Sequence, residues 1–234
     1  MNKRKKYGQN FLTSTSIAKF IGSASKITKN DIVYEIGTGK GILTPILCKY
    51  AKHVITVEID MKLYSSAVQR FSEIPNLTLK NDDGFKSSEK FDIFVSNLPY
   101  SKSRIATQWL LQKKFSHAII MVQDDFAEKL LATKKDKRAI SILSQYGFDM
   151  KVIKKVKNTN FYPKPIVNSV ILQIKQNHVL SKELIQIINK LFSYRRKTIQ
   201  NIANNFGVTI KSEMRLEEMN NDEIIKLAKK ISRV

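Results

Sequence analysis

Short apolar runs that alternate with segments of helical spacing constrain the fold of this chain more than any other feature. Each run is four to seven residues long and is bounded by turn residues, as buried strands are. The runs that we interpret as strands lie at 31–36, 53–59, 77–80, 91–96 and 118–122. The segments with helical spacing between them lie at 42–50, 62–71 and 103–111. Because this β-α-β-α order implies a mostly parallel sheet covered on both faces, the sequence predicts a doubly wound α/β domain.

The pattern changes toward the end of the chain. Helices are predicted at 125–133 and 139–146, and β-rich stretches at 151–157 and 167–175 are expected to form an antiparallel hairpin at the sheet edge. From residue 178 onward the spacing is wholly helical, and Asn220 with Glu223 has the spacing of a capping box. We therefore predict an α/β domain over 1–177 and a small helical domain over 178–234.

The charge of the chain points to a polyanionic partner. Forty-one Lys and Arg against twenty Asp and Glu give a net charge of +21, and both predicted domains are basic. Nucleic acid is the leading partner on this ground, although a basic surface also serves solubility. The candidates for contact with phosphates outside the helical tail are Lys3, Arg4, Lys5, Lys6, Lys134, Lys135, Lys137 and Arg138.

The cysteine and histidine content argues against disulfides and metals. Cys48 is the only cysteine, so no intrachain disulfide forms. The three histidines have no ligand-like spacing to one another or to Cys48, and no metal site is predicted. The N-terminus lacks the apolar core of a signal peptide. We expect a soluble, monomeric protein of the cytoplasm.

A glycine-rich loop at 35–41 follows the first predicted strand and precedes a helix, which suits close approach of the backbone to a ligand. Ile42 stands where a dinucleotide fingerprint has its last glycine, which weakens a nicotinamide assignment. Glu58 ends the second strand, where a carboxylate accepts ribose hydroxyls, and Asp83 or its neighbour Asp82 follows the third, where it would contact an adenine amine. Each feature alone also fits an ordinary turn, strand end or helix cap.

The charges of these positions select the cofactor. The carboxylates of Glu35, Glu58 and Asp83 would repel a pyrophosphate, whereas S-adenosylmethionine carries no phosphate and has a cationic sulfonium and amino group. The ordered set therefore predicts an S-adenosylmethionine site at the carboxyl ends of three strands.

The tetrapeptide Asn97-Leu98-Pro99-Tyr100 follows the fourth predicted strand and suits methylation of a planar nitrogen. The lone pair of an adenine N6 amine is delocalised into the ring, so two acceptors are needed to orient the amine. The Asn97 side-chain oxygen and the Leu98 carbonyl would accept its protons, Pro99 would fix the turn, and Tyr100 would offer a face for a flipped base. A strand-ending turn with a buried tyrosine is the alternative.

Together these motifs resemble the rRNA adenine N6-methyltransferases, and among them the KsgA-type small-subunit dimethyladenosine transferases. The segment 9–12 is similar to the family motif that closes over the methyl donor. The segment 161–169 resembles its Phe-x-Pro-x-Pro-x-Val-x-Ser loop, which implies that Phe161 stacks on the target adenine opposite Tyr100. The family implies dimethylation of two adjacent adenosines in a hairpin loop near the 3′ end of small-subunit rRNA. The predicted cofactor-binding residues are Gln9, Asn10, Leu12, Glu35, Gly37, Gly39, Gly41, Glu58, Ile59, Asp83, Gly84 and Asn97.

The predicted helical tail distinguishes the KsgA type from the alternative families. Erm-type enzymes, which methylate large-subunit rRNA, share the motifs above, but the run 195–201 resembles the Arg-Arg-Lys-Thr-(Leu/Ile)-x-Asn signature of the KsgA type. Arg195, Arg196 and Lys197 are therefore predicted to bind RNA. A non-catalytic ribosome assembly factor and a protein-glutamine methyltransferase are further alternatives, which the intact 97–100 motif and the charge of +21, respectively, disfavour.

Overall fold

The computed structural model describes residues 9–132 and 137–232. Seven strands form the main sheet, in the spatial order β4-β3-β2-β5-β6-β9-β7. The strands of this sheet are β2 (Ile32–Ile36), β3 (His53–Val57), β4 (Leu77–Lys80), β5 (Ile93–Asn97), β6 (His117–Gln123), β7 (Phe148–Val156) and β9 (Ser169–Gln176). Two short strands, β1 (Phe11–Leu12) and β8 (Phe161–Tyr162), form a separate sheet.

The first five strands of the main sheet pair in parallel, and β9 pairs with β6 in antiparallel orientation. The chain runs outward from β2 to β3 and β4 on one side, and the next strand, β5, returns to the other side of β2. Strand order thus reverses between β2 and β5, which is where open α/β sheets bind ligands. The predicted doubly wound α/β fold is confirmed, with β9 and β7 at the edge.

Apart from the first, Thr15–Ala24, which was not predicted from the sequence, the helices of the described residues fall close to the predicted segments. The helices are α1 (Thr15–Ala24), α2 (Thr44–Tyr50), α3 (Met61–Phe71), α4 (Ser103–Leu110), α5 (Asp124–Leu131), α6 (Ala139–Gly147), α7 (Lys182–Ser193), α8 (Ile199–Asn204) and α9 (Asn221–Ile231). The capping box predicted at the start of α9 is present, because Asn220 Oδ1 accepts from the Glu223 amide at 2.9 Å and Glu223 Oε2 accepts from the Asn220 amide at 2.7 Å.

The central strands owe their place to uninterrupted apolar sequence. Residues 118–122 of β6 are fully buried, as expected of a strand paired on both sides and covered on both faces. Burial of these side chains supplies the hydrophobic free energy that holds the sheet together. The polar residues therefore collect at the strand ends.

The packing divides the chain into two compact units. The first comprises Met1–Ala106, Lys114–Ala127 and Met150–Gln176, and the second comprises Thr107–Lys113, Glu128–Asp149 and Asn177–Val234. The second unit is larger than the predicted helical domain of 178–234, since its core includes α6 as well as α7 and α9. Buried Ile142, Ile188 and Ala228 belong to that core.

Candidate active site

A cavity of about 210 Å³ lies in the first unit at the carboxyl ends of β2, β3 and β5. It is lined by residues of the N-terminal segment, the glycine loop, and the turns that follow β3, β4 and β5. They are Gln9, Asn10, Phe11, Leu12, Glu35, Ile36, Gly37, Thr38, Gly39, Lys40, Ile42, Leu43, Val57, Glu58, Ile59, Asp82, Asp83, Gly84, Phe85, Asn97, Pro99 and Lys102. Every predicted cofactor-binding residue except Gly41 is among them.

The glycine loop approaches the cavity through backbone conformations that other residues rarely adopt. Gly37 has a φ of +86° and Gly39 a φ of +56°. A Cβ built on Gly37 would meet no atom within 4 Å, so the backbone is open to the cavity there. The Gly39 amide points to Glu58 and donates to its Oε2 at 2.8 Å.

Glu58 is held in place by two backbone amides. Its Oε2 accepts from Gly39, and its Oε1 accepts from the Asp60 amide at 2.9 Å. The side chain is only 3% exposed, and burial raises the pKa of the carboxyl against the opposing effect of these hydrogen bonds. A carboxylate oxygen has two acceptor sites, so Glu58 retains capacity to bind hydroxyl groups of a ligand.

Glu35 is the most deeply buried carboxyl of the cavity. It is 1% exposed, and its Oε2 accepts from the hydroxyls of Thr44 and Thr56, each at 2.7 Å. Burial raises the pKa of Glu35 to about 7, with a smaller contribution from the negative charge of Glu58, while the two threonine hydrogen bonds lower it. The Glu35 carboxyl therefore gains or loses its proton near neutral pH.

Both candidates for the adenine contact lie at the cavity. Asp82 Oδ1 accepts from the Asp83 amide at 2.7 Å, and Asp83 Oδ1 caps the short turn Gly84–Lys86 by accepting from Phe85 at 3.1 Å. Asp83 therefore serves as a cap and also lines the cavity. Ile59, which is 49% exposed, presents apolar surface beside Glu58.

Gly41 has a structural role that the sequence does not reveal. It lies outside the cavity lining, and a Cβ at this position would be 2.4 Å from the ring of Phe71 on α3. Its φ of +66° also favours glycine. Close packing against Phe71 is thus one reason for a glycine here, and the cofactor contact predicted at Gly41 stays a prediction.

The 97–100 motif begins at the last residue of β5. Asn97 Nδ2 donates to the carbonyl of Asn10 at 3.4 Å, which orients the amide so that Oδ1 faces away from Asn10. Leu98 is 1% exposed, so its side chain belongs to the core and only its backbone can serve a substrate. Pro99 lines the cavity and precedes the turn Tyr100–Lys102.

Tyr100 and Phe161 lie side by side, but they do not face each other as two parallel rings. Their ring centroids are 6.5 Å apart with an interplanar angle of 68°, and Phe161 is only 4% exposed. The Tyr100 hydroxyl hydrogen-bonds Ser169 Oγ at 2.8 Å, and burial raises its pKa. Stacking of an adenine between the rings stays a prediction, and it requires this edge-to-face pair to open.

Sequence reasoning missed several cavity residues, among them Thr38, Lys40, Phe85 and Lys102. Thr38 hydrogen-bonds Thr56 through the hydroxyls at 2.7 Å and so extends the network around Glu35. Lys40 lies within the glycine loop 35–41, so the motif could have indicated it. Nothing in the sequence indicated that the turn Tyr100–Lys102 brings Lys102 to the cavity.

The predicted RNA-binding residues fall into three groups. Lys3, Arg4, Lys5, Lys6, Lys134 and Lys135 lie outside the described residues. Lys137 Nζ donates to the Met219 carbonyl at 2.5 Å, so it is engaged within the second unit, whereas Arg138 is exposed. Arg195, Arg196 and Lys197 are exposed and lie in the turn between α7 and α8, and in the described part of the chain no carboxylate pairs with them. Lys197 Nζ lies 5.1 Å from the centre of the Tyr194 ring.

Neither a cluster of metal ligands nor a membrane-spanning helix is present among the described residues. Across 9–132 and 137–232, no three His, Cys, Asp or Glu side chains are grouped as metal ligands. In the same ranges, the helices are too short or too polar to cross a membrane.

Comparison with known proteins places these motifs in one family. The sequence matches the ribosomal RNA adenine dimethylase family over residues 1–232. It is 37% identical to a probable ribosomal RNA small subunit methyltransferase A of Methanococcus vannielii, with 86% of this chain and 79% of the relative covered. It is 33% identical to ribosomal RNA small subunit methyltransferase A of Thermotoga maritima, with 97% and 85% covered.

Solved structures of two methyltransferases have the same fold as this chain. A dimethyladenosine transferase from Plasmodium falciparum superposes with a TM-score of 0.78 at 26% identity, covering 95% of this chain and 98% of that one. The 23S rRNA methyltransferase ErmE superposes with a TM-score of 0.66 at 21% identity, covering 95% and 100%, which shows a shared fold. On the strength of the family match and of both methyltransferase A relatives, this chain belongs to the ribosomal RNA adenine dimethylase family.

Proposed function

We propose that this protein uses S-adenosylmethionine to dimethylate N6 of two adjacent adenosines in a hairpin loop near the 3′ end of small-subunit rRNA. The observation that carries the proposal is that Asn97, which would accept a proton of the target amine, and Pro99, which would fix the turn, line the same cavity as the glycine loop and Glu58. Methyl donor and acceptor would therefore meet in one place. The methyltransferase A relatives support the small subunit as the source of the RNA.

The cavity fits S-adenosylmethionine in chemistry. Four carboxyl side chains line it, those of Glu35, Glu58, Asp82 and Asp83, and they suit a ligand with cationic groups and hydroxyls. The open backbone at Gly37 admits close approach, and Glu58 would take the ribose hydroxyls. When bound, the cofactor supplies an electrophilic methyl group on its sulfonium.

The chain contributes orientation rather than a strong base. Asn97 Oδ1, directed by the Nδ2 bond to Asn10, would accept one N6 proton, and the Leu98 carbonyl would accept the other. These two acceptors favour the geometry in which the nitrogen lone pair turns toward the methyl donor, which lowers the barrier by positioning. The methylated amine is acidic enough to lose its proton to water.

The basic surface would hold the RNA. The exposed segment 195–197 and Arg138, both in the second unit, present cations without carboxylate partners in the described ranges. We place the protein in the cytoplasm as a monomer, with ribosomal RNA or a precursor of the small subunit as its partner.

The decisive experiment is mass spectrometry of both rRNAs after incubation with isotope-labelled S-adenosylmethionine. Wild-type protein is expected to label two adjacent adenosines of the small-subunit RNA, while Asn97→Ala labels both more slowly. Label in large-subunit RNA would assign the Erm type instead. Absence of label from both RNAs, with intact RNA binding, would indicate an assembly factor.

The role of Asn97 is tested by single-turnover rates at saturating RNA. Asn97→Ala is expected to slow methyl transfer by about 5- to 150-fold, because an unpaired donor costs about 1–3 kcal/mol. Asn97→Asp keeps an acceptor oxygen but loses the Nδ2 donor to Asn10, so it tests how far that bond orients the acceptor. A rate for Asn97→Ala within twofold of wild type would exclude this mechanism.

A further inference from the structure

The two shortest strands of the protein join two functional segments that are distant in sequence. Strand β1 pairs antiparallel with β8, with Phe11 opposite Tyr162 and Leu12 opposite Phe161. Among the described residues these two strands form a sheet of their own, separate from the seven-stranded one. We call this pair the β1–β8 ribbon.

The β1 side of the ribbon lines the cofactor cavity. All four residues of the segment 9–12 contribute to the lining. Phe11 packs on the glycine loop, because a Cβ on Gly39 would lie 3.4 Å from its ring, and the carbonyl of Asn10 accepts from Asn97. A ligand in the cavity therefore contacts β1 directly.

The β8 side carries the aromatic residue expected at the target base. Phe161 packs with Leu12 in the same hydrophobic core and meets the Tyr100 ring at 6.5 Å. Tyr162 is 55% exposed, and Lys40 Nζ lies 5.3 Å from the centre of the Phe11 ring and 5.6 Å from that of Tyr162. Lys40 thus bridges the two strands from the cavity wall.

One residue fastens the end of the ribbon. Thr13 donates both its backbone N–H, at 2.8 Å, and its hydroxyl, at 2.9 Å, to the carbonyl oxygen of Asn160. The side chain of Thr13 is exposed and lies outside the cavity lining, so it is not required for the core or for direct ligand contact. Its hydroxyl is therefore available to be changed alone.

We propose that Thr13 is a positioning residue that couples the cofactor site to the target-base site by tying β1 to β8. The inference rests on the proposed function, since it takes the cavity as the cofactor site and Phe161 as a base contact. Cofactor binding would order the β1–β8 ribbon, so the RNA would bind without a second entropic cost for ordering it. By linkage, RNA would tighten cofactor binding by the same factor.

The coupling is measured as the ratio of RNA dissociation constants without and with saturating S-adenosylhomocysteine. The probe RNA is the 3′-terminal hairpin of small-subunit rRNA. Wild type is expected to bind it more tightly with the ligand present. Thr13→Val should reduce that gain in RNA affinity by about two- to tenfold, which corresponds to the loss of one hydrogen bond. The variant should also have a lower turnover at saturating RNA. Its cofactor affinity in the absence of RNA should be unchanged. Thr13→Ser should restore both the gain and the turnover.

Two controls separate coupling from structure. Thr28→Val removes an exposed threonine hydroxyl, bonded to Asp31 at 2.7 Å, away from the ribbon and should leave the coupling unchanged. The double variant Thr13→Cys with Asn160→Cys places two thiols on the residues that the hydrogen bond from the Thr13 N–H to the Asn160 carbonyl joins, so that a disulfide can replace the lost tie. Because Cys48 is buried, only these thiols oxidise readily, and coupling should be weak when reduced and restored when oxidised.

Equal coupling in wild type and Thr13→Val, or no coupling in wild type, would overturn the inference while methylation and cofactor binding persist. A loss of cofactor affinity in Thr13→Val with normal coupling would overturn it too, since Thr13 would then only support the fold. Failure of the wild-type protein to bind S-adenosylhomocysteine or to methylate RNA would instead refute the proposed function.

Discussion

Replacing Glu35 with glutamine is expected to stabilise the protein at neutral pH and above, and to leave its stability nearly unchanged below pH 4.5. Glu35 is fully buried and its pKa is raised to about 7, chiefly by burial. A carboxyl whose pKa is higher in the folded than in the unfolded state contributes its full stability below the unfolded value of 4.5. That contribution is lost as the pH rises through 7.

The magnitude follows from the size of the shift. Each unit of pKa difference corresponds to about 1.4 kcal/mol, so ionising Glu35 costs on the order of 3 kcal/mol by pH 8. Glutamine stays neutral throughout this range, and its carbonyl oxygen can accept from Thr44 and Thr56 as the Glu35 Oε2 does. The free energy of unfolding of Glu35→Gln should therefore exceed that of wild type increasingly between pH 5 and 8.

Urea unfolding at half-unit steps of pH measures this difference. Titration of other groups occurs in both proteins and cancels in the comparison. Glu73→Gln, at an exposed position on the same unit, controls for the exchange of a carboxylate for an amide. A difference between wild type and Glu35→Gln that stays constant from pH 5 to 8 would refute the argument that burial holds Glu35 neutral.

Three further predictions concern the loop, the cofactor and the RNA. Gly41→Ala should lower the free energy of unfolding by about 1–3 kcal/mol in urea titrations, because its Cβ would overlap Phe71. Glu58→Ala should weaken S-adenosylmethionine binding by about 10- to 150-fold in calorimetry, since it removes a charged acceptor and releases the Gly39 amide; an unchanged dissociation constant would remove Glu58 from the site. Reversing the three cations of 195–197 to glutamate should impair RNA binding and flatten its salt dependence, with cofactor affinity unchanged; normal RNA binding would make this segment mere surface.

The sheet and the cofactor loop were predictable because their signals are local. Each strand of the parallel sheet is an apolar run with its own boundaries, so β4 coincides with the predicted segment and the others differ by a few residues at their ends. The same holds for the Asn220 capping box, which needs only four residues. Glu58 lies at the cavity, as expected, because it directly follows β3 of this sheet.

The β1–β8 ribbon was not predictable for the opposite reason. Its strands are two residues long, too short for any period to show, and its partners Leu12 and Phe161 are far apart in sequence. The packing of Gly41 on Phe71 depends likewise on where α3 lies, not on the loop itself. The hydrogen bond from Lys137 to the Met219 carbonyl was also not predictable, because only the tertiary structure brings the two residues near.

The distribution of charge sorts the two substrates of the proposed reaction. The chain as a whole carries +21, yet the carboxyl groups of Glu58, Asp82 and Asp83 line its cavity against the two cations Lys40 and Lys102. Glu35 adds a fourth carboxyl group, which burial keeps partly protonated near neutral pH. An RNA backbone is therefore attracted to the surface and repelled from the cavity, whereas a sulfonium and an amino group are drawn in. Because a flipped adenine is neutral, it is the part of the RNA that enters without electrostatic penalty. The same carboxylates that would disqualify a pyrophosphate cofactor thus keep phosphates away from the methyl donor, and they leave the base beside Asn97 as the acceptor within reach.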